Sequence, residues 1–251
     1  MIKRRIIPIE LLAGGRLVKT RQFGNPRDVG HPVKSSQVYS DQDADELVLL
    51  NIDRDNRSVR ELIGWVEKIA EYCFVPLAVG GGVSHISHAE DLFRAGADKV
   101  VVNTGAYDDP QLIGQMSGQF GSQSVVISID VERQGGQVQL KKACGRQNID
   151  ISIREHLCRS VEAGAGEVLI NSIDRDGMMV GYDLALLQEA IDTVDVPIII
   201  CGGAGQFLHL KDALELGADG VACGSLFNFG DNNPLRAKAF LKNYDIPLKR
   251  I

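Results

Sequence analysis

Apolar and polar positions along the chain fall into two alternating textures. Short, β-branched apolar runs without polar alternation recur at Arg5–Ile9, Glu46–Ile52, Val75–Val79 and Lys99–Asn103. They recur again at Ser124–Asp130, Glu167–Asn171, Val196–Cys201 and Gly220–Gly224. Such runs are expected of buried strands in a parallel sheet covered on its outer face. Between them lie stretches of helical period. In Asn56–Cys73, Leu62, Ile63, Val66, Ile69 and Ala70 share one face. Ser87–Ala95, Gln111–Phe120, Ile151–Ala163, Ala185–Val194 and Phe207–Leu216 read the same way. Pro76 and Pro197 open strands, where a missing N–H is tolerated. About eight strand–helix units of roughly 31 residues result. Strict alternation of this kind predicts one (β/α)8 TIM barrel over residues 1–251, with a doubly wound open sheet as the alternative.

An internal repeat sharpens the expectation. At a constant offset of 121 residues Glu46 matches Glu167, and Ile52-Asp53-Arg54-Asp55 matches Ile173-Asp174-Arg175-Asp176. Val75-Pro76, Gly81-Gly82 and Gly96-Ala97-Asp98 match Val196-Pro197, Gly202-Gly203 and Gly217-Ala218-Asp219 in the same register. The barrel is therefore expected as two half-barrels, roughly 1–120 and 121–251. Two stretches break the rhythm. Leu12–Pro32, rich in glycine and charge, reads as a long loop after the first strand. Val131–Asn148, centred on Gly135-Gly136, reads as a hairpin inserted after the fifth.

Composition narrows the class of protein. With 44% hydrophobic and 24% charged residues in 251, the chain is of ordinary globular make-up and can bury a full core. A net charge of −6 supplies no basic field, so neither nucleic acid nor an anionic membrane is an expected partner. No apolar run reaches membrane-spanning length, and Pro8 and Glu10 interrupt any leader-like core in Met1–Ala13. Five scattered cysteines without a Cys-x-x-Cys pair fit the reducing cytoplasm. His85-x-x-His88 has no completing ligand, so the histidines are read as surface residues and no metal is expected. No cofactor is called for. Cys201 and Cys223, at neighbouring strand ends, are read as inert buried thiols, and Trp65 as packing.

Candidate chemistry concentrates at the predicted strand C-termini, which build the site in a barrel. Gly81-Gly82 and Asn103-Thr104 end the third and fourth strands; Gly202-Gly203 and Gly224-Ser225 end the seventh and eighth. Glycine lets the backbone approach an anion, and helix-start N–H groups point at it, so each half is expected to hold one phosphate. Among the carboxylates, Asp55 is read as a helix cap. Asp130, delivered by the apolar run Val125–Ile129, is the candidate for general acid/base work.

Arg5-Ile6-Ile7-Pro8, Gly15-Arg16-Leu17-Val18-Lys19, Asp45-Glu46-Leu47 and Val79-Gly80-Gly81-Gly82 then make a resemblance specific. So do Gly96-Ala97-Asp98-Lys99-Val100, Phe120-Gly121-Ser122-Gln123, Ser172-Ile173-Asp174-Arg175-Asp176-Gly177 and Gly181-Tyr182-Asp183. Over nearly its whole length the chain resembles the HisF cyclase subunit of imidazole glycerol phosphate synthase. That family is a (β/α)8 barrel that takes ammonia from a HisH-type glutaminase to cleave and cyclise a bis-phosphorylated ribonucleotide. The resemblance implies that Gly81, Gly82, Asn103 and Thr104 hold one phosphate, and Gly202, Gly203, Gly224 and Ser225 the other. It places Lys19, Asn51, Asn171 and Asp176 on the substrate side. It makes Arg5, Glu46, Lys99 and Glu167 a charged gate for ammonia, and puts Asp98 on the glutaminase-facing surface.

The departures carry as much weight. The family's acid/base pair needs an aspartate where this chain has Leu11, and Asn51 stands where a second carboxylate is expected. Glu10 is the candidate substitute, but side chains alternate along a strand, so only a bulge would turn it inward. A retained gate beside a lost carboxylate resembles the HisF-like paralogues of surface-polysaccharide pathways. Those work with a HisH-like glutaminase and a sugar amidotransferase to form acetamidino sugars. The alternatives are a true histidine-pathway cyclase and a non-catalytic scaffold that binds phosphorylated ligands.

Overall fold

A computed structural model describes residues 3–54 and 58–249. Eight parallel strands close on themselves: β1 (Arg5–Ala13), β2 (Leu47–Asn51), β3 (Leu77–Gly80), β4 (Lys99–Val102), β5 (Val125–Gln134), β6 (Glu167–Ser172), β7 (Ile198–Cys201) and β8 (Gly220–Cys223). Each pairs with its sequence neighbours, β8 pairs with β1, and β5 pairs with β6, so the ring has no open edge. The open-sheet alternative is thereby excluded, and the fold is a (β/α)8 barrel. A longer helix follows each strand: α1 (Pro32–Asp41), α2 (Val59–Ala70), α3 (Ile86–Ala95), α4 (Leu112–Phe120), α5 (Ile153–Glu162), α6 (Leu184–Ile191), α7 (Phe207–Leu216) and α8 (Pro234–Leu241). Strand side chains alternate between two apolar compartments. Ile7, Ile9, Val48, Ala78, Val101, Val126, Leu169, Ile199 and Ala222 fill the barrel interior. Ile6, Leu49, Val79, Val100, Ile127, Ile170 and Val221 pack outward against the helices.

Two helices and one hairpin lie outside the sequence reading. Helices α1 and α8 lack a clean apolar period because each buries polar groups: Ser36 in α1 meets Glu10, and Lys238 in α8 meets Asp43 and Asp45. Both start on a proline at the first turn, where the missing N–H costs nothing. Leu12–Pro32 is no irregular loop. Strand β1 runs on to Ala13, turns at Gly14-Gly15, and pairs antiparallel with Arg16–Arg21, which pairs in turn with Gly24–Gly30. The inserted hairpin after β5 is found as expected: β5 turns at Gly135-Gly136 and pairs with Gln137–Lys142. Pro76 and Pro197 precede their strands by one residue rather than opening them. Asp55 and the first residues of the Asn56–Cys73 helix expectation lie outside the described residues.

Repeat-related positions adopt the same local geometry. The Leu77 N–H donates to the Asp98 carboxylate at 2.8 Å, and the Ile198 N–H to that of Asp219 at 3.0 Å. Gly81 and Gly82 have φ of 108° and 79°; Gly202 and Gly203 have 86° and 108°.

Candidate active site

A cavity of about 380 Å³ opens at the C-terminal ends of the barrel strands. All eight residues expected around phosphate line it: Gly81, Gly82, Asn103 and Thr104 from one half, Gly202, Gly203, Gly224 and Ser225 from the other. The glycines are required by contact. A Cβ on Gly81 would lie 2.2 Å from the Asn51 carbonyl oxygen, and one on Gly203 2.2 Å from that of Gly181. Positive φ at both positions adds to the constraint. Short helices Thr104–Asp108 and Ser225–Asn228 begin at the mouth. The Thr104 hydroxyl accepts from the Ala143 N–H at 3.0 Å, tying the inserted hairpin to this rim.

Asp130, Asn171, Asn51, Asp176, Lys19 and Leu11 also face the cavity. Burial pushes the Asp130 carboxyl up to about 7; a hydrogen bond from Asn171 opposes this, and the nearby Asp176 adds to it. Asn103 Nδ2 lies 2.9 Å from the Ser128 carbonyl and 3.3 Å from Asp130 Oδ2. The carboxyl is thus held by two amides in a setting where it can give or take a proton near neutrality. Asp176 is also raised by burial, against the Thr20 hydroxyl at 2.6 Å, the Phe23 N–H at 3.2 Å and the Lys19 charge. Lys19 donates to the Ile9 carbonyl, and burial lowers its ammonium's pKa. Phe23, Ser128 and Cys144 line the cavity without having been singled out from sequence. The Gly14-Gly15 turn before an apolar run was the signal for the hairpin that carries Phe23.

Glu10 does not reach the cavity position expected of a strand-one carboxylate. Strand β1 pairs with β2 without a bulge, Glu10 opposite Leu49 and Leu11 opposite Leu50. Glu10 therefore faces the helix layer, where its carboxyl accepts from the Ser36 hydroxyl at 2.6 Å, while Leu11 faces the cavity. Alternation decides the matter.

At the opposite end of the interior, Arg5, Glu46, Lys99 and Glu167 form a closed ring of alternating charge. Arg5 pairs with Glu46 at 2.7 Å and with Glu167; Lys99 pairs with Glu46 at 2.9 Å and with Glu167 at 2.7 Å. The two glutamates are buried, and the two cations are about one-fifth exposed. Asp98 stands beside this end, exposed as a residue, with its carboxylate bonded to the Leu77 N–H. Asp98 therefore braces the start of β3 as well as facing solvent.

The remaining candidates resolve as structure. His88 Nδ1 accepts from the Ser84 N–H at 3.3 Å, and its repeat equivalent His209 accepts from the Gly205 N–H at 3.1 Å. Both hold the turn that enters a helix. Cys201 lines the cavity and Cys223 faces outward, 3.2 Å from the Tyr182 hydroxyl; burial raises both thiols. Trp65 packs edge-to-face on His31, with Lys68 over its ring.

Fold and site together define a (β/α)8 barrel with a repeat-related pair of glycine-lined loops at one end and a charged ring at the other. Residues 5–233 match the family model described as "Histidine biosynthesis protein". The chain is 40% identical over 250 residues to the protein named imidazole glycerol phosphate synthase subunit HisF of Chloroherpeton thalassium, covering 99% of this chain and 100% of that one. It is 41% identical over 246 residues to the Streptomyces coelicolor protein of the same name, covering 98% of each. Against the Caulobacter vibrioides protein the identity is 40% over 252 residues. The chain belongs to the HisF family.

Proposed function

We propose that this chain is the ammonia-using subunit of a glutamine amidotransferase of the imidazole glycerol phosphate synthase type. In this reading a HisH-like glutaminase docks at the ring end, and ammonia passes the Arg5–Glu46–Lys99–Glu167 gate into the apolar interior. It emerges in the cavity, where a ligand phosphorylated at both ends is held by the paired glycine loops. Asp130, poised near neutrality, exchanges protons with whatever reacts there. The chain's presence in the cytoplasm belongs to the same reading.

Two reactions divide from this point. The names of the relatives favour the first, the cyclase reaction of histidine biosynthesis. Leu11 favours the second, in which the cyclase chemistry has been lost and the ammonia serves an acetamidino sugar of a surface polysaccharide, made with a sugar amidotransferase. The observation that carries the second is the side chain facing the cavity from β1: it is a leucine, with no proton to give, and Glu10 is turned away. Losing one positioned acid/base group costs about 10²–10⁴-fold. Purified protein is therefore expected to turn over the bis-phosphorylated ribonucleotide with ammonium at near-background rate. Turnover at an ordinary enzymatic rate would restore the histidine-pathway cyclase. A chain that neither binds nor activates any HisH-like glutaminase would remove both and leave a phosphate-binding scaffold.

A further inference from the structure

A second cleft, of about 280 Å³, lies beside the cavity mouth between the Arg16–Gly30 hairpin and the loops after β6 and β8. Lys19, Thr20 and Gly177 line both spaces, so the cleft continues the cavity rather than standing apart from it. Its outer walls are Arg21, Arg27, Met179 and Phe229. Among the described residues neither Arg21 nor Arg27 forms an ion pair within the chain. Arg27 instead places its guanidinium 5.6 Å from the centroid of the Phe229 ring, which is 47% exposed. Arg21 and Arg27 make the outer cleft cationic on a chain of net charge −6, while the buried Lys19 behind them is faced by the Asp176 carboxylate.

The walls are held in place before any ligand arrives. The Gln22 N–H donates to the Asp176 carbonyl at 2.9 Å, and Gln22 Nε2 to the Asp174 carbonyl at 3.1 Å. Thr20 and the Phe23 N–H both reach the Asp176 carboxylate. A Cβ on Gly177 would fall 2.1 Å from the Thr20 carbonyl oxygen, so hairpin and loop touch backbone to backbone. Lys19 sits at the junction: a Cβ on Gly224, in the loop after β8, would meet its Nζ at 2.6 Å.

We infer that this cleft is a ligand subsite for a nucleoside diphosphate group. Arg21 and Arg27 match a chain of two phosphates, since guanidinium groups bind phosphate oxygens in paired, charge-assisted bonds. The exposed face of Phe229 and the polarisable Met179 side chain match a planar base. The cleft volume sits near the lower end of small-ligand pockets, about 300 Å³, which suits one end of a ligand whose remainder lies in the main cavity. The inference deepens the proposed function by giving the ligand that enters the cavity a nucleotide handle. It rests on that reading only for the direction in which the ligand extends.

The test is calorimetric titration of the purified full chain with UDP, ADP and inorganic pyrophosphate. UDP and ADP are expected to bind more tightly than pyrophosphate, because stacking tolerates any base. Arg21→Gln with Arg27→Gln should weaken nucleotide binding by about tenfold or more. Phe229→Ala should bring UDP down to the pyrophosphate level. The rise in melting temperature with inorganic phosphate reports the deep glycine loops. It should survive in the arginine variant and be lost in part in Ser225→Asp. Nucleotides no tighter than pyrophosphate, or indifferent to the arginine change, overturn the inference. A missing phosphate response with arginine-dependent UDP binding would instead count against the proposed phosphate loops and leave the cleft standing.

Discussion

The Glu10 carboxyl accepts from the Ser36 hydroxyl at 2.6 Å, and that bond marks the face of β1 opposite the cavity. Among the described residues its other oxygen is buried without a hydrogen bond, and burial pushes the group up to about 7 against the opposing Ser35 and Ser36 hydroxyls and the Lys19 charge. Glu10 joins β1 to α1 and stays out of the cavity that its neighbour Leu11 lines.

A pH dependence of stability follows. The fold favours protonated Glu10, so its contribution is full below the unfolded value near 4.5 and is lost as pH rises through about 7. The loss is worth about 3 kcal/mol. Thermal melts between about pH 5 and pH 8 should show falling stability, and Glu10→Gln should flatten part of that fall. Asp130, raised to about 7 by burial, accounts for a further part with the same sign. A Glu10→Gln variant whose melting temperature follows the same pH curve as the parent would refute the assignment.

Leu11→Asp should bring a carboxylate back to the cavity wall. With Asp130 it would complete a two-carboxylate site, and turnover of the bis-phosphorylated ribonucleotide with ammonium should rise above the parent's by tenfold or more, with the roughly 10²–10⁴-fold worth of one acid/base group as the ceiling. Asn51 also lines the cavity, at the position where the resemblance implies a second carboxylate, so Leu11→Asp with Asn51→Asp should exceed the single change. Rates equal to the parent's in both variants would show that more than these carboxylates separates the site from cyclase chemistry.

The charged ring gives a prediction of a different kind. Lys99→Ala leaves Glu46 and Glu167, both buried, sharing Arg5 alone. Breaking a buried pair costs about 3–5 kcal/mol and an exposed one under 1, so a partly exposed lysine places the cost near 2 kcal/mol. The variant should fold, melt lower, and still bind the glutaminase while changing the yield of glutamine-derived ammonia in the cavity. Unaltered transfer efficiency would leave the ring as bracing for the barrel floor.

Asp98 needs a gentler substitution than charge reversal, because its carboxylate also holds the Leu77 N–H. Asp98→Asn keeps an acceptor for that N–H and removes the charge. Melting temperature should be nearly unchanged while glutaminase affinity falls, with a weaker salt dependence. A loss of stability equal to the loss of affinity would mean that the residue acts on the strand alone.

Sequence by itself determined a parallel α/β architecture, because eight uninterrupted apolar runs are buried on both faces of a parallel sheet. The pairing of β8 with β1 that closes it into a barrel was decided by the tertiary structure. The offset between Gly81-Gly82 and Gly202-Gly203 located the two glycine loops at the cavity mouth, since positive φ and backbone contact leave a chemical trace that only glycine can supply. Alternation along β1 argued against Glu10 but left a bulge open, and the unbroken register with β2 closed that route. Helices α1 and α8 left no such trace: their buried faces carry Ser36 and Lys238, whose burial is compensated by Glu10, Asp43 and Asp45 from other parts of the chain. The hairpin after β1 left a trace in the Gly14-Gly15 turn, but its placement did not, because its packing partner is the Asp176 loop on the far side of the barrel. Arg5, Glu46, Lys99 and Glu167 could be named from the family pattern, but their closure into one alternating ring depends on barrel register. So does the cleft of Arg21, Arg27 and Phe229, whose members are brought together by the hairpin's fold-back and not by any spacing along the chain.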